Sequence, residues 1–283
     1  VVVGVLVYTL HVPGMHAARD IIAAYRTQDP EGKLAMFEQA LSHNSFAHQE
    51  ITEQISQQAM SMMNDEKVPA EVRQKFVARA ETELNKLATE KPGDARVHVF
   101  FSSFYRAIGD LEAAERQVLM AQELSPRKPS IIMQRAIVKY SQGDFIAARD
   151  LFKEAYELDT RNDEALLYYA AMLVATKETN EAKALAKDER IFTLFALNDF
   201  FVSTVNAAGE FTFLAELYEV RVKERPEVAQ NWASLSFIYY QSGNTEAALT
   251  TLNRSKEAVP SFAKTAQCFI GNIEAGKSPQ EGC

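Results

Sequence analysis

A stride of 34 residues constrains this chain more than any other feature. The stretch Gly109 to Pro126, GDLEAAERQVLMAQELSP, opens on Gly-Asp, reads as one amphipathic helix and stops at a proline. The same shape begins again 34 residues later at Gly143-Asp144, with Phe145, Ala148, Phe152 and Ala155 in step, and ends at Thr160. It returns as Gly209-Glu210 with Pro226 and as Gly243-Asn244 with Pro260. Pro92 and Pro126, like Pro226 and Pro260, stand 34 apart, while Gly143 to Gly209 is 66, two strides less two residues. A helical hairpin of this size cannot bury its apolar flank alone and must stack on its neighbours. A fixed period in this range therefore predicts a repeat solenoid.

Composition fits that reading. Hydrophobic residues make up 47% of the chain, enough for continuous burial between stacked helices. Thirty-eight acids against 30 bases leave a net charge of −8 and no run of five bases, which argues against a nucleic-acid footprint. The two cysteines, Cys268 and Cys283, are too few for a disulfide framework or a zinc site. Cys268 is expected as a structural thiol and Cys283 as an incidental terminal one.

The opening run VVVGVLVYTLHVPGMHAA carries no charged residue before Arg19. Pro13 and Gly14 interrupt it, so the apolar part is Val1 to Leu10, too short alone to cross a bilayer. Residues 1–15 are read as the end of a transmembrane helix whose upstream part lies outside this chain. The alternative is a buried strand or packing helix. Residues 16–94 are expected as an irregular helical extension, in four helices. These are His16–Arg26, with apolar Ile21, Ile22 and Tyr25; Lys33–Leu41; Phe46–Met63, capped by Asn44-Ser45; and Ala70–Glu90, with Phe76, Ala80, Leu84 and Leu87 facing in.

The array proper is expected over 95–275, as about five repeats and a capping helix, Phe262–Ala275. Residues 276–283 are expected as a frayed tail. In repeat one the helices are Arg96–Ile108 and Leu111–Leu124, with glycine supplying the turn. Repeat three is imperfect: Lys177-Glu178 replaces the glycine turn and its second helix, Asn180–Lys187, is short, so a bend or looser packing is expected there.

These spacings resemble the tetratricopeptide repeat. Trp232, Leu235, Tyr239, Ala248 and Pro260 carry the resemblance in repeat five. Tyr105, Ala114, Ala121 and Pro126 carry it in repeat one, and Ala148, Phe152 and Ala155 in repeat two. Repeat four departs, with Leu214 and Arg221 where alanines are usual. The resemblance implies an all-α, right-handed superhelix whose concave wall is built from the first helix of each repeat and binds peptides or proteins. A weaker resemblance, carried by Pro13, Phe37, Ala40, Leu41, Phe46, Glu50 and Gln54, is to the membrane-exit junction of bacterial O-antigen ligase/polymerase-type proteins with a C-terminal repeat array. It implies attachment to the bacterial inner membrane through the N-terminus, and glycosyl-transferring chemistry in a part absent from this chain.

Other motifs carry little chemistry. Gly271–Ser278 matches G-x-x-x-x-G-K-S, but a helix precedes it where a phosphate loop needs a strand, so the match is read as accidental. The pairs His11/His16 and His43/His48 are five apart and turn away from one another on a helix, so they are read as solvated or capping residues rather than metal ligands. No G-x-S-x-G or Cys/His nucleophile pattern occurs. No cofactor, metal or catalytic residue is assigned.

By helical phase the concave wall is expected from Arg96, Val99, Ser103 and Arg106; Met133, Ile137 and Tyr140; Leu167 and Ala171; Asp199, Ser203 and Asn206; and Ala233, Phe237 and Tyr240. Of these, Arg96, Arg106, Met133, Tyr140, Asn206, Phe237 and Tyr240 are the candidate partner-binding residues. The alternative is that Ile137, Leu167 and Phe237 are ordinary inter-helix core. The sequence thus predicts a protein-binding scaffold. The rivals are a piece of a membrane glycosyltransferase or ligase and a soluble adaptor.

Overall fold

A computed structural model describes residues 2–186 and 188–283, with the side chains of residues 2–7, 9 and 10 left aside. Val1, in the expected apolar run, and Lys187, at the expected end of the short helix in repeat three, lie outside the described residues. Among the described residues the structure is sixteen α-helices and one 3₁₀ turn, without a strand. It divides into two compact units, residues 1–143 and 144–283.

The first unit holds α1 (Val2–Arg26), α2 (Pro30–Ser42), α3 (His48–Met62), α4 (Ala70–Glu90), α5 (Ala95–Ile108), α6 (Leu111–Leu124) and α7 (Pro129–Ser141). Phe37, Ile51, Ile55, Phe76, Leu84, Phe101 and Phe104 build its main core. Each fully buried side chain of this size contributes roughly 1.5–3 kcal/mol. A second cluster, Ala114, Val118, Ala121, Ile131 and Val138, joins α6 to α7. The stripe expected on α4 is buried as read, and α3 buries Ile51, Ile55, Ala59 and Met62, though it starts at His48 without a side-chain cap from Asn44 or Ser45.

α1 departs from expectation in two ways. It runs unbroken through Pro13 and Gly14. Proline takes its own N–H from the ladder and crowds the carbonyl four residues back, yet the helix continues, and Gly14 is buried where the Phe46 ring lies so close that a Cβ would stand 2.4 Å from it. The buried face is also not the expected one. Ala17, Asp20 and Ala24 face inward with Ile21 partly buried beside them, while Ile22 is exposed and Tyr25 is exposed at the edge of the buried Phe37 ring. Small residues let two helix backbones approach closely, which hydrophobicity alone does not reveal. Among the described residues no helix is long and apolar enough to cross a membrane.

The second unit holds α8 (Phe145–Leu158), α9 (Asp163–Ala175), α10 (Thr179–Leu185), α11 (Glu189–Leu197), α12 (Asp199–Ala207), α13 (Phe211–Glu224), α14 (Ala229–Gln241), α15 (Thr245–Ala258), the 3₁₀ turn Pro260–Phe262 and α16 (Ala263–Glu274). α9 is apolar on nearly every side and buried to match. Phe195, Phe201 and Phe213 pack around one another, with Phe195 and Phe201 4.6 Å apart between ring centres. The first helix of repeat four is split. Asn198 ends α11, caps α12 by accepting from the Phe201 N–H at 2.9 Å, and turns the chain between two short helices.

The Gly-Asp punctuation has a two-part cause. The glycine ends one helix in the left-handed region, φ +88° at Gly109 and +80° at Gly243. The next N–H then reaches back to the helix's last turn, from Asp110 to the Tyr105 carbonyl at 3.0 Å and from Asn244 to the Tyr239 carbonyl at 2.8 Å. The residue after three of these glycines caps the following helix: Asp110, Asp144 and Asn244 accept from Ala113, Ala147 and Ala247 at 2.9, 3.1 and 3.1 Å, whereas Glu210, after Gly209, makes no such bond. Repeat three keeps this turn without a glycine. Lys177 itself adopts φ +67°, and the Glu178 N–H reaches the Leu173 carbonyl at 2.7 Å. Repeat three thus keeps the turn geometry of its neighbours, and its second helix, α10, is short as expected.

The tail 276–283 is not frayed. Cys268 and Cys283 form a disulfide with their Cα atoms 5.9 Å apart. This corrects the expectation of a structural thiol and an incidental terminal cysteine. Two cysteines suffice for one bridge once Gly276 reverses the chain at the end of α16.

Candidate functional site

In the first unit, Arg96 on α5 is exposed and turned back to its own cap, with Nη2 3.0 Å from Asp94. That pair holds the Asp94 carboxyl below its usual range, chiefly through the side-chain hydrogen bond. Arg106 is half-buried, and its Nε is buried without a hydrogen-bond partner. Met133 is only 6% exposed and sits in the core of α7, whereas Tyr140 is 39% exposed. The structure does not bring these four candidates to a single cavity. Two cavities of the first unit lie elsewhere: one of about 470 Å³ between α2, α3 and α4, lined by Glu38, His48, Arg79, Glu83 and Glu90 among others, and one of about 490 Å³ between α2 and α4.

Of the histidines that the sequence left as solvated or capping, His11 is exposed, His43 stands at the C-cap of α2, and His43 and His48 are also cross-helix ties. His48 Nε2 lies 2.7 Å from Glu83 and its Nδ1 3.2 Å from Glu90. His43 Nε2 lies 2.8 Å from the buried Asp20. His16 stacks on His43. Among the described residues no group of acids, histidines or cysteines is arranged to hold a metal ion.

The second unit brings candidates together. Asn206 on α12 and Phe237 on α14 line one cavity of about 400 Å³, with Asp199 and Ser203 of α12, Leu214, Tyr218 and Arg221 of α13, and Gln230 and Ser234 of α14. Its floor is apolar and aromatic, and its rim is mostly amides and hydroxyls. The one charged pair on it, Arg221 and Asp199, is mutually neutralised at 2.7 Å. Leu167, Ala171 and Ala233 are buried and belong to packing. Tyr240 is half-buried and donates its hydroxyl to the Lys277 carbonyl at 3.1 Å. Gln280 from the tail completes the lining. Sequence reasoning missed Leu214, Tyr218, Arg221, Gln230, Ser234 and Gln280 as lining residues. Gln230 and Ser234 follow from the helical phase of Phe237 on α14, Leu214, Tyr218 and Arg221 lie on α13, a second helix where no groove residue was sought, and Gln280 depends on the fold-back of the tail.

The G-x-x-x-x-G-K-S match spans the last turn of α16 and the turns after it, so it presents helix carbonyls rather than N-terminal amides. It has no anion cradle.

The tetratricopeptide-repeat family model matches residues 139–188. No curated protein matches the sequence. Similar solved structures include a segment of MamA from Desulfovibrio magneticus RS-1, 18% identical, covering 58% of this chain and 94% of that one at a TM-score of 0.44. They also include YrrB, described as a TPR protein with an unusual peptide-binding site, at 18% identity, 62% and 92% coverage and a TM-score of 0.45. A third is the Pseudomonas aeruginosa protein pilF, at 14% identity, 82% and 100% coverage and a TM-score of 0.47. The family model thus matches the single stretch 139–188, and glycine-punctuated helical hairpins lie on either side of that stretch.

Proposed function

We propose that this chain is a non-enzymatic scaffold that binds an extended segment of a partner protein, with the cavity between α12, α13 and α14 as its anchoring point. The observation that carries the reading is the lining of that cavity. Phe237, Leu214 and Tyr218 offer an apolar floor for a side chain. Ser203, Asn206, Gln230 and Ser234 offer uncharged donors and acceptors suited to a peptide main chain. The test is site-specific photocrosslinking, in cells of the source organism, with a benzophenone amino acid at position 237. Discrete polypeptide adducts at 237, absent with the same group at the outward-facing Ile146 of α8, are the expected result. Equal labelling at both positions would sink the reading.

The finer part of the proposal is that the array is the extramembrane region of a bacterial inner-membrane protein, held through its N-terminus and of the O-antigen ligase/polymerase type. What supports it is the apolar run before Arg19 and the outward face of α1. Tyr8, Met15 and Ile22, seven residues apart, are exposed there, while the helix's one acid, Asp20, is buried. Glycosyl-transferring chemistry would then belong to a part outside this chain. A reading frame with several apolar spans upstream of Val1 is expected, and an initiator Met at that point would refute it.

A further inference from the structure

The tail Lys277–Cys283 returns from the end of α16 to the groove face of α14, and three independent devices hold it there. Gly276, at φ +67°, closes α16, with its N–H on the Ile273 carbonyl at 3.0 Å and the Lys277 N–H on the Asn272 carbonyl at 2.8 Å. The Asn272 side-chain amide then clamps the tail, donating to the Pro279 carbonyl at 2.9 Å and the Glu281 carbonyl at 2.8 Å. The Cys268–Cys283 disulfide fixes the last residue to α16. Pro279 is buried by this fold-back, Tyr240 donates to the Lys277 carbonyl, and Gln280 reaches the cavity that holds Asn206 and Phe237.

We propose that the tail is a wall of the partner-binding cavity, latched by the disulfide, so that the site is complete only in an oxidising compartment. This rests on the peptide-binding reading above. The consequence for specificity is that Gln280 adds a side-chain amide to the rim and that Tyr240 spends its hydroxyl on the tail rather than on the partner. The ligand that fits is an extended, uncharged peptide stretch running along α12 and α14 and stopping against the tail. Closing the latch takes two electrons and two protons from the Cys268 and Cys283 thiols. A disulfide-bearing oxidant of the compartment receives them, its own S–S bond breaking to two thiols as theirs forms. Cys283 is exposed, so the bond is within reach of such exchange in either direction.

The experiment compares the full chain oxidised and after reduction with dithiothreitol followed by alkylation. Hydrogen exchange reports on residues 277–283, and hydroxyl-radical footprinting reports on Tyr240 and Phe237. Reduction is expected to bring the tail amides to the exchange rate of an open chain and to raise oxidation of Tyr240 and Phe237 by about threefold or more, with Tyr140 and Phe201 unchanged. Asn272→Ala in the oxidised chain should give part of the same increase. A Cys268→Ala/Cys283→Ala double variant provides a second route, with far-UV circular dichroism as its folding control. Unchanged tail protection after reduction, or a rise at Phe201 showing that the whole unit has opened, would overturn the proposal. So would recovery of both cysteines as thiols from cells trapped with acid and alkylated. None of these readouts uses a partner. Failed crosslinking at position 237 in the oxidised chain would therefore count against the peptide-binding reading alone.

Discussion

Arg221 on α13 donates its Nε to the carbonyl of Ala196, 2.5 Å away in the last turn of α11, and so ties α13 to the point where the first helix of repeat four is split. Its Nη2 reaches Asp199, the first residue of α12, at 2.7 Å, and its guanidinium lies over the Tyr218 ring at 5.3 Å. An arginine where the repeat ordinarily has an alanine is thus the partner of the break at Asn198. It satisfies a carbonyl that the interrupted helix leaves open.

Arg221→Ala should therefore cost about 1–3 kcal/mol, because a charge-assisted hydrogen bond is lost and the Ala196 carbonyl is left unpaired. Asp199→Ala should cost less than about 1 kcal/mol, since the Arg221 side chain is 13% exposed but that of Asp199 is 92% exposed. Urea denaturation of both variants measures the difference. Equal losses would place the energy in the ion pair rather than in the carbonyl bond.

Lys177 occupies the left-handed conformation that Gly109, Gly143, Gly209 and Gly243 occupy in the other repeats. A side chain there strains the backbone by about 1–2 kcal/mol. Lys177→Gly should recover part of this, about 1 kcal/mol, and raise Tm. The reciprocal change Gly143→Ala should lower stability by a similar amount, through φ alone, since a Cβ at that position would meet nothing within 4 Å. A lower Tm for Lys177→Gly would show that greater freedom of the unfolded chain outweighs the relief of strain.

Much of the fold was legible because its signals are local. The spacing of Phe76, Ala80, Leu84 and Leu87 defined α4 to the residue, and glycine with its following aspartate marked the start of α6 and α8. What escaped depends on contacts distant in sequence or on small residues. The inward face of α1 is made of Ala17, Asp20 and Ala24, while the larger Ile22 and Tyr25 that drew attention stay about half exposed. The break at Asn198 was readable in principle, as an N-cap residue before Asp-Phe, but an apolar run on both sides of it hid the signal. The pairing of Cys268 with Cys283 needs the reversal at Gly276. Of the seven candidate groove residues, the structure joins Asn206 and Phe237 in one cavity and takes Met133 into the core. Helical phase selects a face but cannot tell wall from filling.

Glu115 on α6 binds Lys139 and Gln142 near the end of α7, with Lys139 Nζ at 2.5 Å and Gln142 Nε2 at 2.8 Å. The Lys139 hydrogen bond, then the Gln142 one, hold its carboxyl below the usual glutamate range. A carboxyl with a lowered folded-state pKa stabilises the fold above its unfolded pKa, and that stability is lost as pH falls through the folded pKa. Unfolding free energy should therefore decline from about pH 5 downward, and Glu115→Gln should flatten this slope by about 1 kcal/mol or less. Denaturation midpoints of both proteins between about pH 3 and pH 7 provide the check. Parallel curves would show that other carboxyls carry the acid sensitivity.

Asn206 and Ser203 stand exposed on α12 at the rim of the second unit's cavity, so their side chains hold nothing essential to packing. Asn206→Ala and Ser203→Ala should change stability by less than about 0.5 kcal/mol. If a peptide main chain bonds to them, each should weaken binding of the partner identified by crosslinking by about 1 kcal/mol, roughly fivefold in Kd. Phe201, one residue pair away and fully buried, should behave in the opposite way: Phe201→Ala should cost about 3–5 kcal/mol of stability by leaving a cavity beside Phe195 and Phe213. Titration calorimetry against thermal melts separates the two classes. Unaltered affinity in both rim variants would move the contact surface off α12 altogether, because no other exposed polar groups on that helix line the cavity except Asp199, which Arg221 already engages.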